Sequence, residues 1–308
     1  MKPETFNFKT DDGKIISAYK WLPADRNNIR GVVQIAHGMA EHASRYEDFA
    51  GTLAGSGYGV YANDHRGHGK TAGSPDNIGY FAPDNGWDLV VGDMHKLHSI
   101  ITKDHPGLPI YLLGHSMGSL LIRSYIIRYE DKLSGVVLTG TSGDPGPLKY
   151  IGILIAKFEM KMKGKKAKSP MLDNLSFGSF NKAFAPNRTK FDWLSRDTSN
   201  VDKYVNDPFC GDIFSAGFFY DLLVGIKDIN SFSNIENISK DLPILLLSGE
   251  DDPVGNKTRG VLQVYDLYKK AGIRDVNYKF YPGARHEILN EVNKEEVYRD
   301  IIEWLDSH

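Results

Sequence analysis

This chain is constrained most by the pentapeptide GHSMG at residues 114–118. An apolar run at 108–113 precedes it and predicts a buried strand, and the run at 119–129 that follows predicts a helix. A serine between such a strand and helix is typical of a G-x-S-x-G nucleophile elbow, a sharp turn that holds the hydroxyl clear of the backbone. The pentapeptide therefore predicts Ser116 as a nucleophile, provided that suitable partners lie elsewhere in the chain, because short motifs also arise by chance.

The composition is that of an ordinary globular protein, with 308 residues, of which 41% are hydrophobic and 25% charged. A net charge of −2 gives no indication of a nucleic-acid partner. Cys210 is the single cysteine, so no intrachain disulfide can form, which fits a reducing compartment. The N-terminus lacks the apolar region of a signal peptide, and the longest aliphatic run, 153–156, is far too short for a membrane span. These features predict a cytoplasmic protein.

Strand-like and helix-like runs alternate through the first 140 residues. Asp12-Gly13 predicts a type I′ hairpin between the first two strands, and Ser44 with Glu47 predicts a capping box at the start of a helix. The strand-like runs lie at 4–10, 14–22, 30–37, 58–63, 108–113 and 133–139, and a long helix is predicted at 86–104. Such alternation predicts an α/β fold with a mostly parallel, doubly wound sheet.

The alternation stops after Gly140 and resumes only near residue 243. Residues 141–230 contain helix-like pieces and many aromatic side chains but no clear buried strand. Strands are then predicted at 243–247 and 275–281, with helices at 257–270 and 294–306, the last of them capped by Asn293. The sequence thus predicts a core of residues 1–140 and 231–308, with 141–230 inserted as a mainly helical lid.

A nucleophilic serine needs an imidazole to take its proton and a carboxylate to orient that imidazole. Ligand sites in open α/β sheets lie at the carboxyl ends of the strands. Two predicted strand ends carry suitable side chains, with Asp251 and Asp252 after the first and His286 after the second. The order serine, aspartate, histidine predicts a catalytic triad, and the position alone leaves both aspartates open.

Several motifs together resemble the α/β-hydrolase superfamily, in the branch of monoacylglycerol lipases and lysophospholipase-like hydrolases. The motifs are HGMAEH at 37–42 with SRY at 44–46, DHRGHG at 64–69, GHSMG at 114–118, FDWLSRD at 191–197, GEDDPV at 249–254 and HE at 286–287. The resemblance implies the α/β-hydrolase fold and a serine carboxylic-ester hydrolase. Such an enzyme cleaves monoacylglycerol-like lipid esters through an acyl-enzyme and needs no cofactor and no metal.

The resemblance also implies a role for individual residues. Ser116 is the nucleophile and His286 the general base, and Asp252 is the acid because the acid of the family stands three residues after the glycine that matches Gly249. Asp251 is its adjacent rival. The backbone N–H groups of Met39 and Met117 are the expected oxyanion-hole donors.

Other functions stay open at this point. The same residues would serve a lysophospholipase, or a carboxylesterase acting on short-chain or aryl esters. A peptidase resembling prolyl aminopeptidases is a further alternative, although the loop after His37 lacks the Gly-Pro character expected of one. A catalytically silent binding or sensor protein on the same fold is the alternative from another class, because a fold alone does not prove activity.

Several histidines and the cysteine could have other roles. His65 and His68 have a spacing that a zinc site could use, but no third ligand is predicted nearby, so hydrogen bonds within a turn are favoured. His37 and His42 are interpreted as structural, and Cys210 is not predicted to be reactive.

The lid contains two apolar features. Residues 148–160 are rich in apolar side chains and precede several lysines between 161 and 168. Either this helix contacts a membrane surface transiently, or it packs on the core beside a solvated basic loop. In the second feature, an aromatic-rich stripe over 214–223, Phe218 is predicted to line an acyl tunnel. The predicted partner is a small amphiphilic ester, and no oligomeric state is predicted.

Overall fold

A computed structural model describes residues 1–129 and 131–308. Eight strands form one sheet in the order β1-β2-β4-β3-β5-β6-β7-β8. The strands are β1 Glu4–Lys9, β2 Ile15–Trp21, β3 Gly31–Ala36, β4 Tyr58–Asn63, β5 Ile110–His115, β6 Gly135–Thr139, β7 Ile244–Gly249 and β8 Val276–Tyr281. Strand β2 is antiparallel to β1 and β4, and all other pairs are parallel. The predicted mostly parallel sheet is confirmed.

Helices cover both faces of this sheet. They are α1 Glu47–Gly55, α2 Gly69–Ala72, α3 Gly86–Asp104, α4 Met117–Arg128, α5 Leu148–Lys163, α6 Pro170–Phe177, α7 Thr198–Asn206, α8 Ala216–Ile229, α9 Phe232–Ile235, α10 Arg259–Lys270 and α11 Lys294–Ser307. Successive strand side chains point to opposite faces. Leu112 of β5 therefore joins the core that contains α3 and α4, and Leu113 joins the core that contains α1 and α11.

The long connection between β6 and β7 carries helices α5 to α9. We call residues 141–230 of this connection the cap segment. Its helix α5 packs against α8, and α8 in turn packs against α4 and α3 of the core. Within the cap segment the only β pairing is an isolated bridge between Lys168 and Ser215. The division of the chain into a core and a lid formed by residues 141–230 remains a prediction.

Three local predictions are wrong. The turn at Asp12-Gly13 is not type I′, because that type needs positive φ at both residues and only Gly13 has it, at 85°. Ser44 caps no helix, because a 3₁₀ turn over Ala43–Tyr46 precedes α1 and the Ser44 hydroxyl lies 2.9 Å from Nδ1 of His42 instead. Asn293 precedes α11 without a side-chain capping bond.

Across residues 1–129 and 131–308, no helix has the length and apolar character that crossing a membrane requires.

Candidate active site

Ser116 lies in the sharp turn between β5 and α4. Its φ of 52° and ψ of −122° are unusual for a residue with a side chain, as a strained elbow requires. A Cβ atom at Gly114 would lie 2.6 Å from the carbonyl oxygen of Gly118. One at Gly118 would lie 2.0 Å from that of Ala36 at the end of β3. Both positions need glycine because the start of α4 approaches the neighbouring backbone this closely.

Asp252 and His286 are joined in a buried pair. Nδ1 of His286 lies 2.9 Å from Oδ2 and 3.0 Å from Oδ1 of Asp252. The backbone N–H of Val254 donates to Oδ1 as well, at 2.8 Å. Because the Nδ1 proton is held by the carboxylate, Nε2 is left free to accept a proton. These contacts show that the structure brings Asp252 to the histidine, whereas Asp251 is partly exposed.

Burial alone would lower the pKa of His286. The charge of Asp252 and its hydrogen bond outweigh that effect, so the pKa of His286 is raised above its ordinary value. The ring is also confined by its neighbours. The ring of Trp193 lies 5.1 Å away between centroids, and a Cβ atom at Gly140 would lie 2.9 Å from Cε1 of His286. The sequence motifs predict no individual role for Trp193 or Gly140.

These side chains border one large cavity of about 1330 Å³, which Ser116, His286, Met39 and Met117 all line. Its apolar walls come mainly from the cap segment, through Phe177, Phe180, Phe219, Leu222, Leu223 and Ile226. A polar part of the wall is formed by Ser142, Asp144, Asn256, Arg259 and Gln263. The cavity exceeds the range of about 300–1,000 Å³ typical of small-molecule sites.

The predicted oxyanion donors lie beside Ser116. A Cβ atom at Gly38 would lie 3.2 Å from Cβ of Ser116, which shows how closely the loop after β3 approaches the serine. In the part of the chain that the structure describes, the backbone N–H groups of Met39 and Met117 donate to no other group. Met117 is also the first residue of α4, where backbone N–H groups have no partner within the helix.

His37 fixes the peptide unit that precedes the Met39 nitrogen. Its Nε2 accepts a hydrogen bond of 2.9 Å from the backbone N–H of His65, so the ring proton is on Nδ1. That Nδ1 donates to the carbonyl oxygen of Gly38 at 2.8 Å. Burial holds the pKa of His37 well below its usual range, which keeps the ring in this neutral form. The ring of His37 thus contacts the loop after β3 that carries Met39.

A buried charge network ties the loop after β3 to the loop that carries His286. Arg45 donates to Glu41 at 2.6 Å and to both oxygens of Glu287 at 2.7 and 2.8 Å. Glu41 also accepts from the backbone N–H of Gly38 at 2.6 Å and from the hydroxyl of Tyr46 at 2.8 Å. The sequence does not predict this network, although all three charged residues lie in or beside the loop motifs that carry the resemblance.

The prediction that Phe218 lines an acyl tunnel is contradicted by the structure. Its side chain is fully buried and packs against Phe81, Phe214 and His68. Successive residues of a helix point about 100° apart, so the next residue, Phe219, faces the cavity instead.

The other histidines also have defined surroundings. His68 interacts through Nδ1 with the carbonyl oxygen of Arg66 at 2.9 Å, within the turn as predicted. His115 lies beside His286, and burial lowers its pKa to about 4, so it is neutral. His65 and His68 do not join a cluster of possible metal ligands. Within residues 1–129 and 131–308, one cluster of at least three possible ligands occurs, and it lies elsewhere.

A family model described as serine aminopeptidase, S33, matches residues 27–293. The chain belongs to this family. The S33 chain is 31% identical to a monoacylglycerol lipase of Mycolicibacterium smegmatis, over 94% of this chain and 91% of that protein. It is 29% identical to the monoglyceride lipase of Homo sapiens, over 96% of this chain and 88% of that protein.

A solved structure extends these similarities to the fold. The S33 chain matches a highly thermostable carboxyl esterase from Bacillus coagulans, in complex with glycerol, with a TM-score of 0.91 and 30% identity. The match covers 100% of this chain and 99% of the esterase. The α/β-hydrolase fold and the resemblance to the monoacylglycerol lipase branch are therefore confirmed, and the chain is a serine hydrolase.

Proposed function

We propose that this S33 hydrolase cleaves the ester bond of monoacylglycerol-like lipids through an acyl-enzyme on Ser116. The observation that carries the proposal is the Asp252–His286 pair, whose histidine lines the same largely apolar cavity as Ser116. The relatives named monoacylglycerol and monoglyceride lipase support the substrate class.

In the proposed mechanism, Nε2 of His286 takes the proton of Ser116 as Oγ attacks the ester carbonyl carbon. Asp252 stabilises the imidazolium that forms. The N–H groups of Met39 and Met117 stabilise the negative charge on the carbonyl oxygen. His286 then gives its proton to the departing alcohol oxygen as the carbon–oxygen bond breaks. A water molecule, deprotonated by His286, attacks the acyl-enzyme and releases the fatty acid.

The walls of the cavity favour a substrate with one apolar and one polar part. Phe219 and Leu223 offer apolar surface to an acyl chain, whose burial contributes about 0.8 kcal/mol per methylene group. Asn256 and Gln263 offer hydrogen-bonding groups to a small alcohol such as glycerol. A lysophospholipid also has one acyl chain and one polar part, so the test includes a lysophospholipid.

The test compares hydrolysis rates for monoacylglycerols of increasing chain length with rates for a lysophospholipid, an aryl acetate and an aminoacyl amide. We expect monoacylglycerols to give the highest kcat/KM. Ser116→Ala is the control, and it should abolish both hydrolysis and labelling by a fluorophosphonate probe. A higher kcat/KM for the lysophospholipid or the amide would contradict the proposed substrate, and equal labelling of Ser116→Ala would contradict the proposed nucleophile.

We further propose that helix α5 contacts the membrane surface that supplies the substrate. Several large apolar side chains of α5 are exposed by 53–69%, namely Leu148, Tyr150, Ile151, Leu154, Phe158 and Met162. This exposure favours membrane contact over the alternative that the whole apolar face packs on the core. Three of the neighbouring lysines are paired with carboxylates, Lys163 with Glu159, Lys165 with Asp84 and Lys168 with Asp212. The apolar side chains should therefore contribute more than the charges.

Co-sedimentation with phosphatidylcholine vesicles tests this contact. The double variant Leu154→Asp, Phe158→Asp should lose most vesicle binding and keep its rate on a water-soluble aryl acetate. Val292→Asp is the matched control, because Val292 is 61% exposed but lies outside the cap segment. Equal vesicle binding by the double variant and the wild-type protein would contradict the contact.

A further inference from the structure

Three side chains with metal-binding atoms converge where the cap segment meets the loop after β3. They are His42 from that loop, and Asp207 and Cys210 from the turn after α7. One ligand atom from each lies within 4.8 Å of the other two, and Nε2 of His42 lies 2.9 Å from Oδ2 of Asp207. The proposed hydrolysis uses none of these three groups.

The atoms that would not bind a metal are already occupied. The hydroxyl of Ser44 lies 2.9 Å from Nδ1 of His42, which fixes the orientation of the ring. The backbone N–H of Phe209 donates to Oδ1 of Asp207 at 2.9 Å, which leaves Oδ2 facing His42. Hydrogen bonds of this kind orient the ligands in natural metal sites. The side chains of His42 and Asp207 are 12% and 28% exposed to solvent, so an ion can reach them.

We propose that His42, Asp207 and Cys210 form a site for a borderline divalent cation such as Zn²⁺. The ligand atoms would be Nε2, Oδ2 and Sγ, with water in the fourth position. Zinc bonds of about 2.0–2.3 Å in a tetrahedron place the ligand atoms about 3.3–3.8 Å apart. His42 Nε2 and Asp207 Oδ2 lie 2.9 Å apart, and the ligand atom of Cys210 lies within 4.8 Å of the other two, so shifts of at most about 1 Å would reach this range. The mixed nitrogen, oxygen and sulfur set favours zinc over magnesium or calcium.

Binding must remove the proton from Cys210, because the thiolate is the ligand form. The thiol therefore gives up its proton when an ion binds.

The site also links two parts of the molecule that border the cavity. The backbone N–H of Gly211, in the cap segment, donates to the carbonyl oxygen of Ala40 at 3.0 Å. Ala40 directly follows Met39. A cation bound between His42 and Cys210 ties the cap segment to the loop that carries Met39. A bound cation would thus stabilise the position of the cap segment relative to the loop that carries Met39.

Cadmium provides the direct test, because a cadmium–thiolate bond gives an ultraviolet charge-transfer band. Cys210 is the only cysteine of the chain, so the band reports on this site alone. Titration of the full chain with Cd²⁺ should give a band that saturates at one ion per protein and is displaced by Zn²⁺. The band should disappear in Cys210→Ser, and the midpoint should move about tenfold or more in His42→Gln and in Asp207→Asn.

A matched control is available in the His308–Asp275 pair, whose atoms lie 3.1 Å apart and which has no cysteine beside it. His308→Gln should leave the cadmium titration unchanged. A measurement that needs no altered ligand is thermal unfolding, in which Zn²⁺ should raise the midpoint of the wild-type protein. Absence of both the band and this rise would overturn the proposal. So would titration midpoints that stay the same in folded His42→Gln and Asp207→Asn, because the thiol would then bind alone.

Discussion

The ring of His37 donates a hydrogen bond of 2.8 Å from Nδ1 to the carbonyl oxygen of Gly38. That carbonyl and the N–H of Met39 belong to the same peptide bond, which is planar, so fixing the direction of one also fixes the direction of the other. The backbone N–H of His65 holds the other nitrogen of the ring at 2.9 Å. The ring thus sets the plane of the peptide whose N–H we propose as an oxyanion donor.

His37→Phe tests this positioning role. The substitution keeps a ring of similar size but removes both hydrogen bonds, so the Met39 N–H should lose its alignment. We expect kcat to fall roughly ten- to hundredfold with little change in KM, because complete loss of one oxyanion donor costs about 10²–10³. Steady-state kinetics on an aryl acetate measure both constants, and a melting curve confirms that the variant is folded. A higher KM at unchanged kcat would assign His37 to substrate binding instead.

The two adjacent aspartates should differ sharply. Asp252→Asn removes the charge that stabilises the imidazolium of His286, and we expect kcat to fall by about 10⁴. Asp251→Asn should stay within about twofold of the wild-type protein, since its side chain lies outside the pair. Kinetics of both variants on one substrate provide the comparison, and the reverse outcome would reassign the acid.

The pH dependence of kcat/KM should report on His286. Catalysis requires the neutral imidazole, and the raised pKa means that the protonated form persists to a higher pH than usual. Activity should therefore be lost as the pH falls through an apparent pKa above about 6.5. In Asp252→Asn the residual activity should titrate at a lower pH, because the largest of the effects that oppose burial is then removed. A wild-type limb below the ordinary histidine pKa would contradict this assignment.

The buried network around Arg45 should matter for stability. The side chains of Arg45 and Glu41 are 10% and 4% exposed, so Arg45→Met leaves two carboxylates uncompensated in a water-poor environment. We expect the free energy of unfolding to fall by about 3–5 kcal/mol in urea titrations. The control is Arg128→Met, which breaks the exposed pair with Asp88 and should cost less than about 1 kcal/mol. Equal losses would show that burial of the network is unimportant.

Much of the core could be predicted from local patterns. The run before Ser116 is apolar and the sequence after it has a helical pattern, so these local patterns predict the elbow without any knowledge of tertiary contacts. The strand-end rule then selected the loops of Asp252 and His286, but it could not separate Asp252 from Asp251. Only the resemblance made that choice, and the hydrogen bonds of His286 now favour the same residue.

What the sequence did not predict depends on contacts between distant parts of the chain. Arg45 and Glu287 are separated by 242 positions, and His42 and Asp207 by 165, so no local pattern connects them. The prediction that Phe218 of helix α8 lines the acyl tunnel was wrong for a related reason. Phe218 and Phe219 have the same side chain, and which one faces the cavity depends on how α8 packs on the core.

Phe219 lines the cavity, so its size should affect the choice of acyl chain. Phe219→Ala should widen the apolar part of the cavity and shift the preference towards longer acyl chains. We expect the ratio of kcat/KM for a long chain to that for a short chain to rise about tenfold, within the range for small changes in an apolar pocket. Hydrolysis of a chain-length series of monoacylglycerols measures the ratio.

Phe218→Ala is the matched control for this change. It removes an equally large side chain from the core and should destabilise the protein by about 3–5 kcal/mol. Its chain-length ratio should nevertheless stay that of the wild-type protein, because Phe218 does not border the cavity. The ratio is insensitive to how much of each variant is folded, since both rates come from one sample and the folded fraction cancels. A shifted ratio in Phe218→Ala but not in Phe219→Ala would restore Phe218 as the residue that contacts the acyl chain.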